Sequence, residues 1–216
     1  IALLSKNCSH WIMADLAIQM AGHISVPIYP TINADSIEQI MTHSESKVVI
    51  IGKLDNYEAQ KSGLEGCIKI GIRAYQIEEK LSWEDMVAQN EGLKELPEQK
   101  AEDLLTIMYT SGTTGSPKGV MHSVGSFNAV TNTAVSAIDI NAKKPCFFSY
   151  LPLTHIAERI GIEMFGLYQG GSFNFPLSIE TFADDLAATQ PDLFFAVPRI
   201  WTKFQDSILN TIPQKK

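Results

Sequence analysis

Along the chain, short runs rich in β-branched and other apolar residues alternate with longer stretches in which apolar positions recur three or four residues apart. The short runs suit strands buried on both faces, and the longer ones suit helices with one buried stripe. Their alternation is the pattern of βαβ units around a parallel sheet, so the predicted class is α/β, a mostly parallel sheet with flanking helices in layers and right-handed crossovers. Strands are predicted at 1–4, 25–29, 47–51, 68–72, 105–110, 146–150, 172–175 and 193–197. Ile12, Leu16 and Met20 share helical spacing, as do Ile37 with Ile40 and Met41, Phe182 with Leu186, and Ile200 with Phe204 and Ile208. Gly22 is placed to end the first helix, Ser36 to open the second and Pro191 to follow the third.

Residues 76–103 are the most polar stretch, a surface helix and connector or a subdomain border, and no internal repeat interrupts the pattern. The most apolar long window, 11–30, is broken by Asp15, Gln19 and His23. It therefore falls short of the roughly 20 apolar residues a membrane-spanning helix needs. The sequence opens on Ile1 directly into a strand pattern and stops a few residues after a helical one, so we read it as part of a longer chain. With 17 Lys and Arg against 24 Asp and Glu in 216 residues, the net charge of −7 argues against a nucleic-acid partner. Cys8, Cys67 and Cys146 stand far apart without metal-ligand spacing, which fits a reducing, cytoplasmic setting.

Chemistry is concentrated in one segment, from Tyr109 to Val120, which follows an apolar strand and reads Tyr-Thr-Ser-Gly-Thr-Thr-Gly-Ser-Pro-Lys-Gly-Val. Glycines let backbone N–H groups approach an anion, hydroxyls donate to phosphate oxygens, and a lysine adds a point charge. The composition suits a polyphosphate. It is not a Walker A loop, because Lys118 lies between Pro117 and Gly119 instead of between Gly and Ser or Thr, and it contains no GxGxxG.

This run resembles the phosphate-binding signature of the AMP-forming, adenylate-making superfamily of acyl-CoA synthetases, peptide-synthetase adenylation domains and luciferases. The run Leu151-Pro152-Leu153-Thr154-His155-Ile156-Ala157-Glu158-Arg159 is similar to a signature of long-chain fatty acyl-CoA synthetases, and residues 191–204 resemble the segment that follows it in that subfamily. The resemblance, which also takes in 11–30, implies a ligase that joins a long-chain fatty acid to CoA through an acyl-AMP, using ATP and Mg²⁺. Carried over to this sequence, it makes Thr110, Ser111, Gly112, Thr113, Thr114, Gly115 and Lys118 the grip on the nucleotide phosphates, with Thr113 near Mg²⁺. It makes His155 the residue beside the reacting carboxylate and α-phosphate.

Read from the residues alone, His155 could instead form a surface cluster with Glu158 and Arg159 at i+3 and i+4. Arg199 could face an anion or simply end a helix, and His122 could support the loop or be structural. Trp201 and Phe204 read as core or acyl-pocket wall, and Met164, Phe165 and Tyr168 are available for an acyl pocket or for packing. His10, His23 and His43 carry no recognisable spacing. The family pattern continues with a Mg²⁺-binding glutamate, a ribose-binding aspartate and a C-terminal domain bearing a catalytic lysine. None is found in these 216 residues, so the expectation is a partial N-terminal adenylating domain that by itself binds ATP weakly and makes no acyl-CoA. Transfer to a carrier protein, a noncatalytic nucleotide-binding module and peripheral membrane contact remain open at this level.

Overall fold

The computed structural model describes residues 1–110 and 117–211. In chain order its elements are β1 (Ala2–Leu4), α1 (Ser9–Met20), β2 (Val26–Ile28), α2 (Ala34–His43), β3 (Val48–Ile51), β4 (Ile68–Gly71), β5 (Leu81–Ser82) and α3 (Trp83–Gln89). There follow β6 (Leu104–Thr110), β7 (Lys118–Ser123), α4 (Val124–Ala137), β8 (Cys146–Phe148) and α5 (Ile156–Glu158), which runs into a π-helical stretch (Arg159–Met164) and α6 (Phe165–Tyr168). The last elements are β9 (Ser172–Asn174), α7 (Phe182–Thr189) and α8 (Pro198–Thr211).

Five parallel strands form a sheet in the order β2-β1-β3-β4-β5. Because successive side chains of a strand point to opposite faces, Ala2, Leu4, Val49 and Ile51 pack with Ile37 and Ile40 of α2. Leu3, Ile50 and Ile70 pack with Trp11, Ile12 and Ile18 of α1 on the other face. The result is the expected helix, sheet, helix layering. β6 extends it: Ser25, just before β2, donates its N–H to Leu105 O and accepts from Ile107 N, each at 3.0 Å.

Several local expectations are corrected. The segment after the glycine-rich run is a strand, β7, paired antiparallel to β6. Its apolar residues Val120 and Met121 are exposed, so no buried alternation announced it. The expected strand at 193–197 reduces to one bridge between Leu193 and Phe147. Its apolar content is used in aromatic packing instead, with Phe194 stacked on Tyr150 and Phe204. Ser36 does not open α2: Asn33 is the cap, its side chain accepting the Ser36 N–H at 3.0 Å. Gly22 does follow the end of α1, in the left-handed region at φ 73°.

The largest departure concerns α1. Its buried residues are Trp11, Ile12, Ala14, Asp15, Ile18 and Gln19, while Met20 is exposed. Of the polar residues that broke the apolar pattern, His23 follows the helix and is exposed, while Asp15 and Gln19 thus lie on the buried side. Asp15 accepts hydrogen bonds there from Gln19 and Ser25, and from Arg159, whose Nη2 lies 2.6 Å from both carboxylate oxygens. Arg159 Nη1 also donates to Thr106 Oγ1 of β6 at 2.6 Å, and that hydroxyl donates to Ser25 O at 2.7 Å. The guanidinium sits between the rings of Trp11 and Phe127, 5.7 and 5.4 Å from their centres.

Glu163 Oε2 lies 3.8 Å from Arg159 Nε, and both side chains are fully buried. Burial, followed by the charge on Asp15, holds the Glu163 carboxyl well above the usual range, while Arg159 opposes the shift and Glu158 adds to it. The sign of the pH dependence follows. Folded Glu163 keeps a proton that the unfolded chain releases above about pH 4.5, so its contribution to stability falls as pH rises until the folded group itself ionises. Glu163→Gln removes this loss. In thermal unfolding, the variant is expected to gain on the parent progressively between about pH 5 and pH 8; a gap independent of pH would contradict the assignment.

Candidate active site at the ends of the parallel strands

The chain leaves β1 to form β2 on one side and β3 on the other, which makes a switch point where a crevice opens beyond the carboxyl ends of the strands. A cavity of about 480 Å³ lies there. Lys6 and Asn7 follow β1 into it, Pro30 follows β2 and Lys53 follows β3, while Ser149, Tyr150 and Pro152 form the facing wall. Lys6, Lys53 and Lys203 place three cationic groups around an otherwise mainly apolar space. Lys6 pairs with Asp55, and Lys53 Nζ donates to Leu177 O at 3.4 Å.

The facing wall is the start of the turn that carries His155. Asn7 Nδ2 donates to Ser149 Oγ at 3.0 Å and to Leu151 O at 2.7 Å, and Asn7 Oδ1 accepts the Leu153 N–H at 3.0 Å. From behind, buried Glu158 accepts the Tyr150 N–H at 2.9 Å. Burial pushes the Glu158 carboxyl up to about 8, against the opposing pull of Ser149 and the Tyr150 N–H. His155 is exposed at the N-terminus of α5, where its Nδ1 accepts the Ala157 N–H at 3.2 Å. A neutral imidazole accepting at Nδ1 carries its proton on Nε2, so the other edge of the ring is a donor. The surface cluster with Glu158 and Arg159 does not form, since both side chains are fully buried and engaged elsewhere.

Thr110 and Lys118 are opposed as the last pair of the β6–β7 hairpin and are both exposed. Ser111, Gly112, Thr113, Thr114 and Gly115 lie outside the described residues. Below the pair, Tyr109 is buried and opposes Gly119. A Cβ on Gly119 would come within 2.8 Å of Ile107 Cγ2 and 3.2 Å of the Tyr109 ring, so glycine permits this close crossing. The Tyr109 hydroxyl meets His43 Nδ1 at 2.6 Å. His43, which no sequence spacing singled out, thus braces the strand that enters the glycine-rich run.

A family model described as AMP-binding enzyme matches residues 1–215. The chain belongs to this family of AMP-binding enzymes. Long chain acyl-CoA synthetase 5 from Arabidopsis thaliana is 35% identical over 214 residues, which make up 90% of this chain and 32% of that protein. Long-chain-fatty-acid--CoA ligase ACSBG2 from Rattus norvegicus is 27% identical over 239 residues, 98% of this chain and 35% of that protein. The chain therefore spans about a third of the length of the curated relatives it matches. Its fold is that of coronafacic acid ligase from Pectobacterium brasiliense, with a TM-score of 0.80 and 21% identity, covering 100% of this chain and 43% of that one. The N-terminal domain of FACL13 from Mycobacterium tuberculosis matches with a TM-score of 0.71 and 23% identity, covering 87% of this chain and 46% of that one.

The other sequence candidates are scattered. Phe204 lines the cavity and Trp201 packs edge-on against Phe194 while half exposed. Arg199 is exposed. Met164 packs with Leu105, Met108 and Phe127, and Phe165 with Phe147 and Ile162, so neither reaches the cavity; Tyr168 is half exposed. His122 stands edge-on to Phe127, and burial, then the charge of Arg159, lowers its pKa. His10 Nδ1 is 3.1 Å from the Tyr75 hydroxyl, and His23 is exposed. Sequence reasoning missed Asn7, Asp15 and His43; an amide three residues after the first parallel strand was the available signal for Asn7. Among the described residues, no helix is long and apolar enough to cross a membrane, and no group of three His, Cys, Asp or Glu could hold a metal ion.

Proposed function

We propose that this segment supplies the phosphate-gripping and carboxylate-positioning side of an ATP-dependent long-chain fatty acid–CoA ligase. The observation that carries the reading is Arg159: four residues after His155, it bonds Thr106 four residues before Thr110, so one buried guanidinium supports both chemical elements. Family membership and the likeness to long-chain acyl-CoA synthetases support the substrate class.

In this reading, Thr110, Ser111, Gly112, Thr113, Thr114, Gly115 and Lys118 hold the β- and γ-phosphates of ATP. Bound Mg²⁺ would neutralise phosphate charge, with Thr113 near it; the opposed pair Thr110 and Lys118 brings a hydroxyl and a cation together at the end of the β6–β7 pairing, groups that suit a triphosphate. A carboxylate oxygen of the fatty acid attacks the α-phosphorus, the bond to the β-phosphate oxygen breaks and pyrophosphate leaves. The CoA sulfur, having lost its proton, then attacks the acyl carbonyl and AMP leaves. His155 Nε2–H donates a hydrogen bond to the negative charge that develops between carboxylate and α-phosphate. The cavity rimmed by Lys6, Lys53 and Lys203 suits a partner with an apolar arm and phosphates, as CoA has. A cytoplasmic setting belongs to the same reading.

ATP–pyrophosphate exchange by the full-length protein tests it. Lys118→Ala is expected to slow exchange about ten- to a hundredfold, the worth of one charge-assisted contact of about 1.5–3 kcal/mol, with little change in acyl binding. Unchanged exchange would remove Lys118 from the site. His155→Ala is expected to lower the exchange rate at an unchanged melting temperature. Early melting with normal turnover would assign His155 a structural role instead.

A further inference from the structure

Three hydrogen bonds radiate from Asn7 to a turn more than 140 residues away in sequence. They reach Ser149 Oγ, Leu151 O and Leu153 N, the alternate residues of the segment leading to His155. This segment has few bonds of its own: Ser149 N donates to Asn174 O at 2.8 Å and His155 N to Pro152 O at 2.8 Å. Between those two, the Tyr150 N–H is held from another direction by Glu158, the Tyr150 ring stacks on Phe148 and Phe194, and Leu153 is buried beside Leu3 and Trp11. Asn7 borders the cavity, yet both hydrogens of its amide are already committed to the turn. It has no donor left for a bound molecule.

We propose that Asn7 is a positioning residue for the adenylation step: it clamps the turn 149–155 to the end of β1 and thereby fixes where His155 stands. The assignment rests on the function proposed above for His155. Substituting Asn7 leaves Leu151 O and the buried Leu153 N–H without these partners; the turn then keeps the hydrogen bonds at its two ends, the one to Glu158, and the packing of Leu153 and the Tyr150 ring, none of which fixes its backbone at Leu151. The phosphate-gripping hairpin is not attached to Asn7; it hangs on Thr106, Ser25 and Arg159. The two halves of the site therefore respond differently to loss of the clamp.

The test is a cycle in the full-length protein using Asn7→Ala, His155→Ala and the double variant, read by ATP–pyrophosphate exchange. Asn7→Ala is expected to lower kcat about ten- to a hundredfold, the cost of displacing a reacting group by about 1 Å, with KM for ATP little changed. In the His155→Ala background the same substitution is expected to cost almost nothing, because its effect passes through that ring. Additive losses, or a loss confined to KM, would overturn the proposal. If Asn7→Ala does not fold, Ser149→Ala, which removes one leg of the clamp, takes its place in the cycle with the same two outcomes.

A second readout does not depend on turnover. Acylation of histidines by diethyl pyrocarbonate, followed by mass spectrometry, is expected to become severalfold faster at His155 in Asn7→Ala, as Nδ1 is released from Ala157, and to stay unchanged at exposed His23. Equal rates at His155 in parent and variant would overturn the clamp. If the parent shows no exchange with any fatty acid, the functional reading fails while the acylation rates still decide the positional one.

Discussion

The structure depends on a guanidinium that has been taken entirely out of water. Arg159 is bonded to both oxygens of Asp15 and to Thr106, and is flanked by Trp11 and Phe127, with all three polar side chains fully buried. Desolvating such a pair costs several kcal/mol per ion, which short contacts from Nη2 to both carboxylate oxygens and further hydrogen bonds offset. Here the remaining lone pairs of Asp15 are met by Ser25 and Gln19. What the arrangement secures is register. A helix of the first layer, the strand entering the glycine-rich run and the helical stretch after His155 meet at one group that tolerates little displacement.

The surrounding charges obey the same constraint. Asp15, Glu158 and Glu163 are all buried near one arginine, so full ionisation would leave excess negative charge in a medium that cannot screen it. The conflict is resolved by pushing the Glu158 and Glu163 carboxyls upward, where they favour their protonated forms. Arg159 opens a π-helical stretch in which it and Glu163, four residues on, both face inward. π-type turns of this kind recur where a helix carries function. Above this layer, Asn7 ties the turn that leads to His155 to the end of β1, and the Tyr109–His43 contact ties the end of β6 to α2.

The alternating strands and helices were legible because burial on both faces of a parallel strand leaves an uninterrupted apolar run. The glycine-rich segment stood out because its residue types are costly to explain by packing alone, and His155 stood out only because the run 151–159 is similar to a family signature. What escaped was everything that depends on a distant partner. Asp15 and Gln19 looked like interruptions of an apolar helix, and Arg159 like a surface neighbour of His155, because periodicity says nothing of a partner 144 residues away. β7 escaped because its apolar side chains face solvent, and the apolar run at 193–197 misled because aromatic stacking can consume it as well as a sheet can.

The central claim is that Asp15 and Arg159 act as one unit joining the two halves of the molecule. A double-mutant cycle with Asp15→Asn and Arg159→Met, followed by denaturant unfolding, measures it directly. Each single substitution is expected to cost about 3–5 kcal/mol, because it strands the other group in the interior. The double variant, with no uncompensated charge left, is expected to be less destabilised than the sum by about 2 kcal/mol or more. Losses that add to within about 0.5 kcal/mol would mean that the two residues contribute independently, and that the pair does not hold the site together.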